Sequence, residues 1–417
     1  MSSDRETDDA LALYERGHGQ LQSGDFREAV ESFTRAIALR PNVAAAFHKR
    51  AQAYLQLDQR PDAIRDLDRA IALKPDEPLY LADRAEAHFR QKSYELAIAD
   101  CDKLLSLDPG WAPVRGLRGD CYAASGNTDA ALADFSGAIE ADPDHAAAYL
   151  VARGRLRQDL GDFAGAVEDC STAIRVDPNA VFAYQTRGFA SQELGDHEAA
   201  EADFGEVLIR DPNSPRALLG RAGARLQLGR FADAIGDCDA VLKLQPRNAS
   251  AYLFRGLGNA RLGGLAAAAR DYTEAIRLSP SAQGYEFRAA VWRQLSDDAK
   301  AIQDLLEKLK LLPAASLFNQ LAWIWATSPD EELRDGERAV ESATRACELA
   351  EWTDSGYLDT LAAAAAECGD FAAAVQWEEK AIALGNSEDV DSYQSHLELY
   401  RMKKPLRDSS ARNSRPR

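Results

Sequence analysis

The sequence predicts an all-α protein built from stacked helical hairpins, and three observations lead to this prediction. Proline recurs at intervals of 33 to 35 residues along most of the chain. Between the prolines, apolar residues are spaced three and four apart, as they are on one face of an α-helix. Residues that favour helices, such as alanine, leucine, glutamate and arginine, are abundant. We therefore expect pairs of amphipathic helices joined by tight turns.

Residues 181–212 illustrate a single hairpin. A first helix and a second helix each carry one face of small or apolar residues: Tyr184, Gly188 and Ser191, then Ala200, Phe204 and Val207. The Gly195-Asp196 pair separates the two helices, and Pro212 ends the second one because the residue before a proline avoids the helical conformation. One hairpin cannot bury its apolar face alone, so it needs neighbouring copies.

The copies are visible as columns when the chain is aligned on its prolines. The prolines are Pro41, Pro75, Pro109, Pro143, Pro178, Pro212, Pro246, Pro280 and Pro313. One column contains only glycine or alanine: Gly17, Ala51, Ala85, Gly119, Gly154, Gly188, Ala222, Gly256 and Ala289. Twelve residues later, all nine units have alanine: Ala29, Ala63, Ala97, Ala131, Ala166, Ala200, Ala234, Ala268 and Ala301. Only close helix crossings demand such small residues, so these columns predict where the helices meet.

These columns resemble the tetratricopeptide repeat (TPR), a 34-residue unit with small residues at its eighth and twentieth places and proline near its end. The resemblance covers residues 10–313 in nine units. It implies a right-handed α-α superhelix, a TPR solenoid. The fifth unit has one extra residue, which we place in its first helix near residues 146–154, and one residue is missing from the loop near 281–284.

The remaining segments complete the predicted domain organisation. Residues 1–9 are polar and are expected to form a flexible N-terminal end. Residues 314–386 form two divergent TPR-like repeats, which resemble a closing module of large bacterial TPR proteins. Residues 387–402 form a capping helix, which gives about eleven helix-turn-helix repeats plus that helix. Residues 403–417 form a basic tail, expected to be disordered, for which contact with RNA or an acidic partner is the alternative.

Bulky aromatic residues are concentrated in the divergent repeats. Five of the six tryptophans lie between Trp292 and Trp377. We favour a bulkier core that closes the array over a binding patch.

Composition limits the classes of partner and the compartment. The formal net charge of −18 repels phosphate backbones and anionic lipid, so membrane binding is excluded and general nucleic-acid binding is disfavoured. The N-terminus has no signal pattern, and no apolar run is long enough to cross a bilayer. Cys101, Cys170 and Cys238 occupy a place that is aromatic in other units, so we expect buried free thiols and a cytoplasmic protein.

Motifs for catalysis were sought and not found. The sequence contains no phosphate-binding loop of the G-x-x-x-x-G-K-[ST] type, no G-x-S-x-G and no H-E-x-x-H. The six histidines have no partner at metal-ligand spacing. We expect no enzyme activity, no catalytic residue, no metal, no cofactor and no small-molecule substrate.

A column of arginines is the most unusual feature of the repeats. The seventh place is arginine in all nine units: Arg16, Arg50, Arg84, Arg118, Arg153, Arg187, Arg221, Arg255 and Arg288. Sixteen residues later, eight units have aspartate: Asp66, Asp100, Asp134, Asp169, Asp203, Asp237, Asp271 and Asp304. We predict a ladder of ion pairs between packed helices, within or between repeats. The alternative is an arginine stripe that binds acidic ligands.

The family resemblance also suggests where a partner binds. In TPR proteins the first helix of each unit lines a concave groove through its second, fifth, ninth and twelfth places. The most apolar residues at these places form the predicted peptide-binding groove: Phe182, Gln185, Phe189, Leu219, Leu226, Leu253 and Leu257. Tyr14, His48 and Phe89 are lesser candidates. For each of these side chains the alternative is packing beneath a neighbouring helix.

The prediction for function is therefore a non-catalytic scaffold that binds peptide or protein segments in the groove of a TPR superhelix. A regulatory or substrate-recruiting arm of an enzyme complex is the first alternative. An RNA-associated factor that uses the basic tail is the second.

Overall fold

The computed structural model of the protein describes residues 2–386 and 389–407. In this part of the chain it contains 23 α-helices and no β-strand, which confirms the all-α prediction. The helices are α1 (Ser2–Ser23), α2 (Phe26–Leu39), α3 (Ala44–Gln56), α4 (Arg60–Leu73), α5 (Pro78–Arg90), α6 (Tyr94–Leu107), α7 (Ala112–Ala124), α8 (Thr128–Ala141), α9 (Ala147–Asp159), α10 (Phe163–Val176), α11 (Val181–Glu193), α12 (His197–Arg210), α13 (Pro215–Gln227), α14 (Phe231–Leu244), α15 (Ala249–Arg261), α16 (Leu265–Leu278), α17 (Ala282–Gln294), α18 (Asp298–Leu311), α19 (Ala315–Thr327), α20 (Gly336–Leu349), α21 (Ser355–Glu367), α22 (Phe371–Leu384) and α23 (Val390–Arg401).

The first 22 of these helices form eleven helix-turn-helix repeats, and α23 follows them, as the sequence predicts. Backbone contacts divide the chain into an N-terminal unit, Met1–Glu206, and a C-terminal unit, Val207–Arg417. Within each unit, the second helix of a repeat packs against its own first helix and against the first helix of the next repeat. This arrangement buries the apolar face that a single hairpin would leave exposed.

Ten of the eleven hairpins turn through a residue in the left-handed backbone region, whereas the longer connection between α19 and α20 has none among its described residues. Gly195, which follows α11, has a φ of +81°, and glycine adopts this conformation at little cost. Asp58 fills the same role after α3 with a φ of +59°, which aspartate tolerates better than most residues. The chain can therefore reverse direction within two or three residues.

The two small-residue columns lie where the helices of a hairpin cross. All nine alanines of the twentieth place are fully buried. In each repeat whose second helix has an aromatic residue at the crossing, the eighth place is glycine. A Cβ added to Gly119, for example, would lie 2.8 Å from Cε1 of Phe135. Ala51, by contrast, shares its core cluster with Leu67, a smaller residue at the place of Phe135. The prediction that helices cross closely at these two columns is thus confirmed. The eighth residue is also smallest where the residue that it meets on the second helix is largest.

The largest hydrophobic core of the C-terminal unit lies in its closing repeats, α19 to α22. Leu321, Trp325 and Ala362 are buried there, and α23 contributes Tyr400. Trp352 and Trp377 stack with their ring centroids 5.3 Å apart. Trp292, Trp323, Trp325 and Trp377 pack in or on this core, whereas Trp352 is exposed.

The two ends of the described chain differ from the sequence-based expectation. Helix α1 begins at Ser2, and Ala10 is buried, so the helix includes most of the segment predicted as a flexible end. After α23, Leu406 packs on the closing core and Arg407 Nη1 donates to Glu367 Oε2 at 2.6 Å. Leu406 and Arg407 thus contact the repeats, whereas residues 408–417 of the predicted tail lie outside the described residues.

The extra residue of the fifth repeat lies in a connector, so its placement in a helix was wrong. Pro143–His145 forms a 3₁₀ turn before α9, and α9 has 13 residues, like α3 and α5. An extra residue inside the helix would rotate its apolar face by about 100°. A connector accommodates the same residue without disturbing the packing.

Candidate functional site

The first helices of neighbouring repeats contact one another and together form one surface in each unit. In the N-terminal unit α1 contacts α3, α5 contacts α7, and α9 contacts both α7 and α11. In the C-terminal unit α13 contacts α15. We call this surface, defined by the second, fifth, ninth and twelfth places of the first helices, the first-helix face. It is the surface on which the sequence predicts a peptide-binding groove.

The second place carries exposed apolar side chains in the N-terminal unit. Phe182 on α11 is 68% exposed, Leu11 on α1 is 56% exposed and Leu79 on α5 is 49% exposed. A phenyl ring open to this extent contributes nothing to the core, so Phe182 is available for contact with a partner.

Gln185 and Phe189 lie on the same face of α11 as Phe182 but are half-buried. The ring of Phe189 packs edge-on against Phe204 of α12, with the ring centroids 4.9 Å apart. Phe189 therefore contributes to the hairpin's own packing and presents only part of its ring.

The four predicted leucines belong to the C-terminal unit and are less open. Leu219, Leu253 and Leu257 are half-buried. Leu226 is only 8% exposed and packs in a core cluster with Cys238. Leu226 is thus a core residue, because the twelfth place of α13 lies over the second helix of its own repeat.

Two of the lesser candidates are also engaged within the fold. Tyr14 packs edge-on against Phe33 at 5.7 Å between ring centroids. His48 is buried, and its Nε2 lies 2.7 Å from Oδ2 of Asp83 on the next repeat. Gln52 Nε2 donates to the same carboxylate oxygen at 3.1 Å. This group links α3 to α5.

The first-helix face also contains a cavity that sequence analysis did not predict. It has a volume of about 490 Å³ and lies between α1, α3 and α5. Leu21 and Leu55 supply apolar walls, while Gln52, Asp83 and Glu86 supply acceptor groups. Side chains from three repeats form it, so its residues are about one period apart in sequence and show no local motif.

Carboxylates make this part of the face electronegative. Neighbouring helices remove part of the hydration of Asp120, and Glu86 adds a like charge, so the pKa of Asp120 rises to about 6. Arg155 offsets this effect in part. At neutral pH, a positively charged group placed here would relieve the repulsion between the two carboxylates.

The arginine column is used inside the fold, which confirms the predicted ladder. In eight repeats the guanidinium donates from Nε and Nη2 to the two oxygens of the aspartate sixteen residues later, over 2.6–3.1 Å. Each such pair joins the first and second helices of one repeat. In the first unit, Ser32 replaces the aspartate and donates to Gln20 at 2.7 Å.

The third guanidinium nitrogen reaches the preceding repeat. In seven repeats Nη1 donates to a side chain on the second helix of the repeat before, over 2.5–3.1 Å. The acceptors are Thr34, Asp68, Asp102, Ser136, Ser171, Asp239 and Thr273. The ladder therefore links helices both within and between repeats, and its guanidinium groups are not available as a stripe for acidic ligands.

The structure corrects the expectation that every histidine lacks a ligand-spaced partner. His396 on α23 places Nδ1 2.7 Å from Asp359 Oδ1 on α21 and 3.9 Å from Glu378 Oε1 on α22. The three residues are 18 to 37 positions apart in sequence, so only the packing of three helices brings them together.

Three family models, each described as tetratricopeptide repeat, match the chain. They cover residues 10–43, 48–110, 88–154, 190–249 and 224–282, together more than half of the sequence. The chain therefore belongs to the tetratricopeptide-repeat family. No curated protein matches the chain in sequence.

Several solved structures resemble parts of this fold. A tetratricopeptide repeat protein from Parabacteroides merdae is 20% identical, covers 70% of this chain and 98% of its own, and has a TM-score of 0.45. The C-terminal part of a TPR repeat-containing protein from Cytophaga hutchinsonii is 19% identical, over 57% and 96%, with a TM-score of 0.46. Yeast Tom70 is 17% identical, over 94% and 96%, with a TM-score of 0.37. At these identities the resemblance says nothing about partners.

None of the helices that the structure describes is both long and apolar enough to pass through a bilayer.

Proposed function

We propose that this protein is a non-catalytic scaffold that holds a peptide or protein segment on its first-helix face. The observation that carries the proposal is the exposure of Phe182, a large apolar side chain that is 68% open on that face. Buried aromatic anchors dominate the binding energy of protein interfaces, and an exposed ring flanked by polar groups is suited to become one. Membership of the tetratricopeptide-repeat family supports the same general role.

The charge of the face favours a segment with basic residues. Asp83, Glu86 and Asp120 lie on the first helices of two neighbouring repeats, close to the cavity of about 490 Å³. A lysine or arginine side chain of a bound segment would pair with Asp120, because Arg90 already pairs with Glu86 and His48 with Asp83. An apolar side chain of the segment would contact Phe182. Such binding should weaken as the salt concentration rises, because exposed charges are screened.

Selection from a library of random peptides displayed on phage tests the proposal with the full chain as bait. Selected peptides are expected to bind Phe182→Ala about 30-fold more weakly, since burying a phenyl ring contributes about 2 kcal/mol. Ile209→Ala is the matched control, because Ile209 is 72% exposed but lies on the second helix α12. Circular dichroism should show the same helix content for both variants.

The proposal fails if no peptide is selected, or if the selected peptides bind Phe182→Ala as tightly as the parent chain. Equal losses in Phe182→Ala and Ile209→Ala would indicate non-specific binding to exposed apolar side chains.

A further inference from the structure

A buried polar cluster lies inside the closing repeats, where α23 packs on α22. Asp359 on α21, Glu378 on α22 and His396 on α23 offer one ligand atom each, and these three atoms all lie within 4.8 Å of one another. The side chain of Glu378 is fully buried, and those of Asp359 and His396 are 8% and 15% exposed. The cluster is therefore part of the interior of the module.

Glu378 is the residue that the fold leaves unsatisfied. Neither of its carboxylate oxygens has a hydrogen-bond partner among the described residues, although both are buried. A buried charge without a partner is costly, and such groups are normally paired or bound to a metal. Asp359, a second carboxylate, lies beside Glu378. His396 Nδ1 lies 3.9 Å from Glu378 Oε1 but only 2.7 Å from Asp359 Oδ1. Two carboxylates thus share one imidazole.

We propose that Asp359, Glu378 and His396 bind one divalent metal ion of the zinc type. Carboxylate oxygens and an imidazole nitrogen are ordinary ligands of Zn²⁺, with metal–ligand distances of about 2.0–2.2 Å. Two ligand atoms on one such ion lie about 3.3 Å apart in tetrahedral geometry. The separations of 2.7 and 3.9 Å between His396 Nδ1 and the two carboxylates lie on either side of that value. Small side-chain rotations would bring all three atoms to the ion.

Tyr400 lies one turn further along α23 and borders the same cluster. It is fully buried, and its hydroxyl also has no hydrogen-bond partner among the described residues. Burial raises the pKa of the Tyr400 phenol, and the carboxyls of Asp359 and Glu378 raise it further, so the phenol stays neutral and a trapped water is the expected fourth ligand. Because the three protein ligands come from three helices, the ion would fasten the capping helix α23 to the last repeat.

A proton is the competing occupant of the same space. Without a cation, burial and the neighbouring Asp359 raise the pKa of Glu378, which favours a protonated Glu378 in the empty site. Glu378→Gln separates the two cases, because glutamine has an N–H that can donate to Asp359 as a protonated glutamate would. It does not provide the anionic ligand. Glu379→Gln is the matched control, since Glu379 is the next residue on α22 and is exposed, with Arg401 as its partner at 2.9 Å.

The experiment measures zinc bound to the full chain and its effect on thermal stability. The chain is treated with a chelator, desalted, titrated with zinc sulfate and assayed by elemental mass spectrometry. We expect one zinc per chain and a higher thermal midpoint in the parent and in Glu379→Gln. Affinity in Glu378→Gln should fall more than roughly 100-fold, because even losing a residue that only orients a ligand costs 10- to 100-fold.

Absence of stoichiometric zinc in the parent chain, or an equal zinc-induced shift of the midpoint in Glu378→Gln, would overturn the proposal. If Glu378→Gln does not fold, the parent chain still decides the matter through hydrogen exchange. Zinc should slow exchange in α23 and chelator should reverse this, and unchanged exchange in α23 would refute the site.

Discussion

Replacing Arg118 by methionine should destabilise the fourth repeat far more than replacing Asp102, although Asp102 bonds to the same guanidinium. Arg118 donates to both oxygens of Asp134 at 2.7 Å, and the Asp134 side chain is only 6% exposed. Methionine would leave that buried carboxylate uncompensated, which costs about 3–5 kcal/mol. Asp102 is 53% exposed, so Asp102→Ala should cost at most about 1 kcal/mol.

A second substitution tests whether the loss of stability comes from the Asp134 carboxylate that is left without its partner. In the double variant Arg118→Met/Asp134→Leu no buried charge remains, and apolar replacement of a buried pair is often neutral. We therefore expect the double variant to be more stable than Arg118→Met alone.

Native-state hydrogen exchange is the suitable assay, because long repeat arrays do not unfold in a single step. Exchange in α7 and α8 should accelerate by roughly 10²- to 10⁴-fold in Arg118→Met and by less than about tenfold in Asp102→Ala. Equal effects of Arg118→Met and Asp102→Ala, or a double variant no more stable than Arg118→Met, would refute the reasoning.

Three further outcomes are expected. Gly119→Ala should lower the thermal midpoint, because its Cβ would lie 2.8 Å from an aromatic ring. Gly154→Ala should lower it less, because Gly154 faces Cys170 and alanine already faces cysteine in the Ala85–Cys101 pair; the same loss in both would contradict this. Asp120→Asn should raise the midpoint at pH 7–8 but not near pH 4. The raised pKa means that the folded state of Asp120 binds more protons than the unfolded state, so its contribution to stability falls as pH rises from about 4 through about 6; a pH-independent effect would be inconsistent. A thiol reagent should modify only Cys368 in the native chain, since the other five cysteines are buried, and rapid reaction of more than one thiol would disprove that packing.

The hairpins and their crossings could be predicted because packing imposes the same demand on every copy. Gly188 and Ala200 identify one such crossing, and both are buried as expected. The exposure of side chains on the first-helix face could not be predicted, because it depends on the neighbouring helix. Phe182 and Phe189 are identical in type and lie seven residues apart, yet only Phe189 has a ring, Phe204, packed against it.

Contacts between repeats were the main features that sequence reasoning missed. His48 and Asp83 are 35 residues apart, and His396 and Asp359 are 37 apart, about one period in each case. A search for ligands three or four positions apart on one helix does not detect such pairs. A search at one-period spacing, made after the repeat was known, would have found both.

The reach of each arginine to the repeat before it has a consequence for the gene. In every linked pair, the side chain that accepts from arginine Nη1 lies 15 to 17 positions earlier in the sequence. The same bond can therefore form whichever copy precedes the arginine. Duplicating or removing a whole 34-residue segment would rejoin an arginine to a serine, threonine or aspartate at the usual distance. The array could thus lengthen or shorten by recombination while its polar connections stay intact, and new binding surface could be acquired one copy at a time.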